Sequence, residues 1–425
     1  MHIESEQNVE AAQQLPIQRN RTIIVANQFI SSLAESILYV AIMWYVYEVT
    51  SSALSSAFVV TLFILSDVFL GPFVGVFVDR LNPKTGMHIG YAIMTTIGVL
   101  LSLVYIFSID YFLVFLYLAI IIHNVGGTVM GSSKNKLLPH IVGYNQVVRT
   151  NGFISSSGQV ASLLGNTVSG YLFSIIGFIG VVLMHSGAYL VASLLLFLIV
   201  TSFGQKALEK NEEKQTKKAS FSTELKEGFL ALKKSKPLLK TVILFSVVNM
   251  TTLAGSLIVV LIKDHYNGSS AQYGLVNALS LLAGTLMGLM IGKITKFVKT
   301  NVLFISALFL AGIAYFGAGI TTNFYIGAFF LMFFAASNVV VGVMYNSMLI
   351  LFVEEKVRAR VTTMYGAIMG IFIPPFTILG GLLADQVGIA PLFIGSGIWL
   401  ILWSFFPMID KDMKGLKRLD ISENR

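Results

Sequence analysis

The chain has 425 residues, 55% of them hydrophobic and 12% charged, with a mean hydropathy of +0.79. Water-soluble domains carry about twice that charged share, so the composition excludes a soluble globular chain. In so apolar a chain a formal net charge of +8 speaks for loop orientation rather than nucleic-acid binding, and the lack of cysteine excludes disulfides and thiolate metal ligation.

The first twenty residues, "MHIESEQNVEAAQQLPIQRN", are polar and have no apolar core, so no cleaved leader is expected and the first span directs insertion. Apolar runs long enough to cross a hydrocarbon layer of about 30 Å then recur to the end of the chain. They fall at about 22–47, 53–78, 86–108, 111–134, 145–175, 180–203, 238–262, 271–292, 301–320, 323–350, 359–384 and 389–409. Polar or turn-forming stretches such as "EVTSS", "DRLNPKTG", "KDHYNGSS" and "FVEEKVRAR" separate them. The expected fold is an all-α polytopic membrane protein of twelve transmembrane helices in two pseudo-symmetric six-helix bundles. The expected divisions are a cytoplasmic tail over 1–21, bundles over 22–203 and 238–409, a linker over 204–237 and a second tail over 410–425. An amphipathic helix is expected in the linker near 222–234. With the N-terminus inside, 28 of the 29 Lys and Arg residues fall on the cytoplasmic side and only Lys263 outside, which predicts both termini in the cytoplasm.

Charges within apolar spans are costly, and each is a functional candidate for that reason. Glu35, mid-way along span one, is the leading proton-coupling or cation-binding carboxylate; the alternative is a neutral, hydrogen-bonded glutamic acid that fixes helix contacts. Asp67 in span two serves either proton carriage or an interhelical hydrogen bond. His123, in "IIIHNVGGTVMG" of span four, titrates near neutrality and either relays a proton with Glu35 or bonds a backbone carbonyl. Gln159 and Asn166 in span five are candidate polar groups of a cavity. Pro374 and Pro375 in span eleven bring a kink or a hinge.

Span two ends in "GPFVGVFVDRLNPK", residues 71–84. Gly71 and Gly75 lie one helical turn apart and present a smooth strip to a neighbouring helix, with Asp79 one turn further along it. There Asp79 is placed to pair with a basic group or cap a helix N-terminus as a conformational latch, Arg360 being one partner; otherwise Asp79, Arg80 and Lys84 stop the helix and set topology. A shift of 211 residues superposes Asn135 on Asn346, Arg149 on Arg360, Gly170 on Gly381 and Gly177 on Gly388. A shift of 213 superposes Gly71 on Gly284, Gly75 on Gly288 and Arg80 on Lys293. Two nearly equal offsets predict two parallel halves, the second with Gly292 where the acid would stand.

Gly75, Asp79, Arg80 and Lys84 resemble the loop 2–3 signature of the major facilitator superfamily, with Asn82-Pro83 in place of the usual turn glycine. The resemblance covers essentially the whole chain and is closest to bacterial drug–proton antiporters of the macrolide-efflux type, supported by "LKEGFLALKKSKPLL", "YNGSSAQYGL" and "GGLLADQVG". It implies a secondary transporter of a bacterial cytoplasmic membrane that expels a small amphipathic substrate by alternating access, with H+ as coupling ion and no cofactor. It also implies membrane lipid as surroundings and no nucleic-acid partner. A monomer suffices, since one chain holds both halves. His123 stands where relatives carry arginine, and Gly165-Asn166 replaces the Gly-Pro of the antiporter motif. The rival readings are a dedicated siderophore or metabolite exporter and a lipid flippase. No metal site or catalytic constellation is read: HExxH, GxSxG and a Walker loop are all missing.

Overall fold

The computed structural model describes residues 16–107, 111–201, 229–230, 232–233, 235–353 and 355–414, and among them there is no strand. Helix α1 covers Ile17–Thr50, α2 Ala53–Asp79, α3 Pro83–Phe107 and α4 Phe112–Val142. One continuous stretch, Val147–Phe197, follows; its Gly177 has φ 68° and ψ 178°, outside the helical region. We number residues 147–176 α5 and residues 178–197 α6. Beyond the linker come α7 Lys236–His265, α8 Ser270–Phe297, α9 Thr300–Ile320, α10 Phe324–Phe352, α11 Glu355–Val387 and α12 Ala390–Ile409. Most of the linker expectation, including the helix near 222–234, lies outside the described residues.

Among the described residues, eleven helical stretches are long and apolar enough to cross a membrane, the α5–α6 stretch counting as one. The chain nevertheless crosses twice there. On α5, Gly158 lies against Gln28 and Ser32, and Gly165 against Leu33 and Ser36, so α5 runs parallel to α1. On α6, Tyr189 meets Glu35 and the Ala192 carbonyl meets Asn27, so α6 runs back the other way. Gly177 makes the reversal because a side chain at its φ and ψ would be strained. At the junction of α11 and α12, Gly388 also has positive φ, 80°. These two glycines superpose in the sequence repeat, and each breaks a helix at the corresponding connection.

Local chemistry sets the helix ends. Asn82 Oδ1 accepts the backbone N–H groups of Lys84 at 3.0 Å and Thr85 at 3.5 Å, and Pro83 opens α3, where its missing N–H costs nothing. Ser269 and Gln272 form a reciprocal capping box on α8, and Asn323 caps α10. The α6 C-terminus is gathered by three donors: Arg19 to the Leu198 carbonyl at 2.6 Å, Asn20 to that of Val200 at 2.7 Å and Lys84 to that of Ile199 at 2.8 Å. Lys84 therefore acts as a helix cap here.

The contacts fall into two compact units, one of described residues within 16–45 and 65–201, the other within 46–64 and 229–414. In the first unit Ile24, Met87, Tyr91, Leu137, Ile141 and Tyr189 pack in one buried cluster. In the second, Asp385 near the end of α11 accepts the N–H groups of Ala53 at 2.5 Å and Leu54 at 3.2 Å and the Ser52 hydroxyl at 2.8 Å, capping α2. Large apolar side chains such as Phe73, Phe77, Ile106, Phe107 and Leu289 face outward, an arrangement suited to hydrocarbon and costly in water.

Candidate functional site

Glu35 sits about 27 Å from the start of α1 and about 22 Å from its end at 1.5 Å per residue, the depth expected from the sequence. Its Oε2 lies 3.3 Å from His123 Nε2 on α4 and 3.5 Å from His185 Nε2 on α6, and accepts the Tyr189 hydroxyl at 3.1 Å. The two Nε2 atoms are themselves 3.3 Å apart. His185 and Tyr189 are i and i+4 on α6, so one helix face delivers both.

Aromatic packing holds the group in place. The His185 ring lies 5.1 Å from that of His123 and 4.5 Å from that of Tyr189, and Tyr189 lies 5.8 Å from Tyr91. The Tyr91 hydroxyl donates to Asn27 Oδ1, and Asn27 donates to the Ala192 carbonyl at 2.7 Å. The imidazoles are enclosed, with side chains 9% and 2% exposed, whereas the Glu35 side chain is 41% exposed. The cluster therefore has a closed floor and an accessible carboxylate. A second polar contact joins α1 to α4 two turns from Glu35: Lys134 Nζ donates to Gln28 Oε1 at 2.6 Å, and Gln28 Nε2 donates to Ser32 at 2.7 Å.

The remaining sequence candidates lie elsewhere. Asp67 is exposed within a π-helical turn, Ser66–Leu70, and its carboxylate makes no hydrogen bond or ion pair among the described residues. Asp79 pairs with Lys136 Nζ at 2.5 Å, inside the first unit. The side chain of Arg360 lies outside the described residues. Arg80 is exposed at the end of α2. A Cβ built on Gly71 or Gly75 meets nothing within 4 Å, whereas one on Gly284 would stand 3.2 Å from Val339 of α10. Gln159 is exposed and Asn166 half-buried on α5. Pro374 and Pro375 lie within an α11 that stays helical through both.

Sequence reasoning missed His185 and Tyr189. The signal was present in "VVLMHSGAYLV", where a histidine interrupts an apolar run as plainly as His123 does. It also placed Lys134 and Lys136 at the edge of a loop, whereas α4 continues to Val142 and carries both on the helix.

The sequence profile described as Major Facilitator Superfamily matches residues 24–261 and again residues 241–419, which together span most of the chain. The chain belongs to the Major Facilitator Superfamily. It is a multi-pass membrane transporter of that superfamily. Macrolide efflux protein A of Streptococcus pyogenes is 23% identical over 407 residues, covering 94% of this chain and 96% of that protein. The uncharacterized MFS-type transporter YvqJ of Bacillus subtilis is 22% identical, covering 96% of each. Among solved structures, a bacterial homologue of the iron transporter ferroportin matches with a TM-score of 0.69 at 12% identity, covering 91% of this chain and 99% of the other. That likeness shows the Major Facilitator fold alone.

Proposed function

We propose that this transporter exports small amphipathic compounds from the bacterial cytoplasm by alternating access, driven by inward movement of H+, with both termini in the cytoplasm. Similarity along nearly the whole chain to a protein named for macrolide efflux supports the direction and the cargo class. The placement of Glu35 supports the coupling. A carboxylate at the middle of a membrane-spanning helix costs a few kcal/mol to insert. Proton exchange on such a carboxylate is one use that offsets this cost. Glu35 is reachable from one side and held by groups on two other helices, as an ion-exchange position requires.

Inside-out vesicles containing the purified transporter test this reading. With an acidic lumen, labelled macrolide should accumulate, and collapse of the pH gradient should abolish accumulation. Glu35→Gln should remove at least about nine-tenths of the driven uptake (about 1.4 kcal/mol of lost coupling) while leaving membrane insertion intact. Uptake indifferent to the gradient, or a Glu35→Gln protein as active as wild type, would refute the coupling.

A further inference from the structure

We propose that Glu35, His123 and His185 form a binding site for one divalent transition-metal ion of the zinc class. Oε2 of Glu35 and the two Nε2 atoms form a nearly equilateral triangle with edges of 3.3, 3.3 and 3.5 Å. Ligands about 2.0–2.1 Å from a tetrahedral zinc ion stand about 3.3–3.4 Å from one another. The triangle thus matches one face of such a tetrahedron. A six-coordinate ion at the same bond length would need neighbouring ligands only about 2.9 Å apart, which favours tetrahedral over octahedral coordination.

The donor set agrees with the geometry. Two imidazoles and one carboxylate, with no thiolate, suit Zn2+ and its stand-in Co2+, and three protein ligands leave the fourth position to water or a substrate atom. The Tyr189 hydroxyl donates to the ligating oxygen at 3.1 Å, the outer-shell contact that fixes a coordinating carboxylate. Tilted ring contacts, His123 on His185 and His185 on Tyr189, hold the imidazoles, so few rotamers remain to be frozen on binding. The exposed side of Glu35 gives the ion its way in. Binding replaces whatever protons lie between the three ligand atoms, and ties α1, α4 and α6 together. All three ligands belong to one compact unit.

The site goes beyond the export reading and does not depend on it. Tag-free protein in nanodiscs, titrated with Co2+, should give the visible absorption of a tetrahedral centre, saturating at one ion per chain and bleached by Zn2+. His123→Phe and His185→Phe should lose the band, while His140→Gln keeps it. Tyr189→Phe should weaken Zn2+ affinity by about ten-fold, as loss of an outer-shell partner does. His185→Cys separates ligation from folding: it should retain one ion and add a sulfur-to-cobalt charge-transfer band. Zn2+ should raise the melting temperature of wild type and of His185→Cys but not of His123→Phe. The proposal is overturned if wild type shows no stoichiometric band, if the band survives in both Phe variants, or if His185→Cys binds without a sulfur signature. Metal binding without gradient-driven uptake would leave this site standing and remove the export reading; the reverse pair of results would do the opposite.

Discussion

Asp79 shows how far a single residue can be read from sequence. The turn "DRLNPK" announced an acid at a helix end, and the structure supplies Lys136 as its partner 57 positions away. Hydropathy could not supply that partner, because it assigned Lys136 to a loop whereas α4 holds it on a helix. The two side chains are 37% and 39% exposed, so their pairing contributes only about 0.2–1 kcal/mol to stability. A role in the transport cycle would therefore show in rate rather than in folding. Asp79→Asn should insert normally and melt within a few degrees of wild type, yet lose most transport. Lys136→Gln should do the same if the pair is the operative contact, and the exchange Asp79→Lys with Lys136→Asp should restore part of the activity. Normal transport in either single variant would reduce the pair to a helix stop. Glu35 and His123 were legible because each is a polar interruption of an apolar run. Their convergence with His185 was not, since three helices must pack before 35, 123 and 185 become neighbours.

At the scale of elements, hydropathy located the crossings better than their ends. The first span was expected over 22–47, but α1 begins at Ile17. The extra turn is polar, and it folds because Asn20 donates to the carbonyls of Ile141 at 2.8 Å and Val200 at 2.7 Å, a tertiary contact that no periodicity contains. The break between spans five and six was placed within a few residues of Gly177, and its cause is backbone geometry. Nothing lies within 4 Å of a Cβ built on Gly177, so Gly177→Ala isolates the conformational cost, about 1–3 kcal/mol for that region of φ and ψ. Gly187 gives the control: it lies mid-way in α6 with the same empty surroundings, and alanine is the better helix former there by about 1 kcal/mol. Thermal unfolding in detergent should therefore rank Gly187→Ala at or above wild type and Gly177→Ala clearly below it. Equal melting points for the two variants would mean that the reversal at residue 177 does not depend on glycine. Gly388→Ala, at the other helix junction with positive φ, should lower stability for the same reason.

For the whole molecule, the twelve crossings and the orientation rest on different physics. The crossings follow from burying backbone hydrogen bonds in hydrocarbon, and the helices over α1–α12 together with the superfamily match bear out that fold. Orientation follows from the cost of moving cations across the membrane, and its expectation stems from an uneven count: all but one of the Lys and Arg residues on one side. That asymmetry is large enough that moving one or two charges should not invert the chain. The absence of native cysteine makes the question easy to answer, since every introduced thiol is unique. Ser5→Cys and Ser422→Cys should react with an impermeant maleimide only after cells are opened. Asn267→Cys, in the turn between α7 and α8 beside Lys263, should react in intact cells. Labelling of Ser5→Cys and Ser422→Cys from opposite faces would require an odd number of crossings and would contradict a second crossing at Gly177. Labelling of both from outside would keep twelve crossings but invert them, and the direction of proposed export would invert with them.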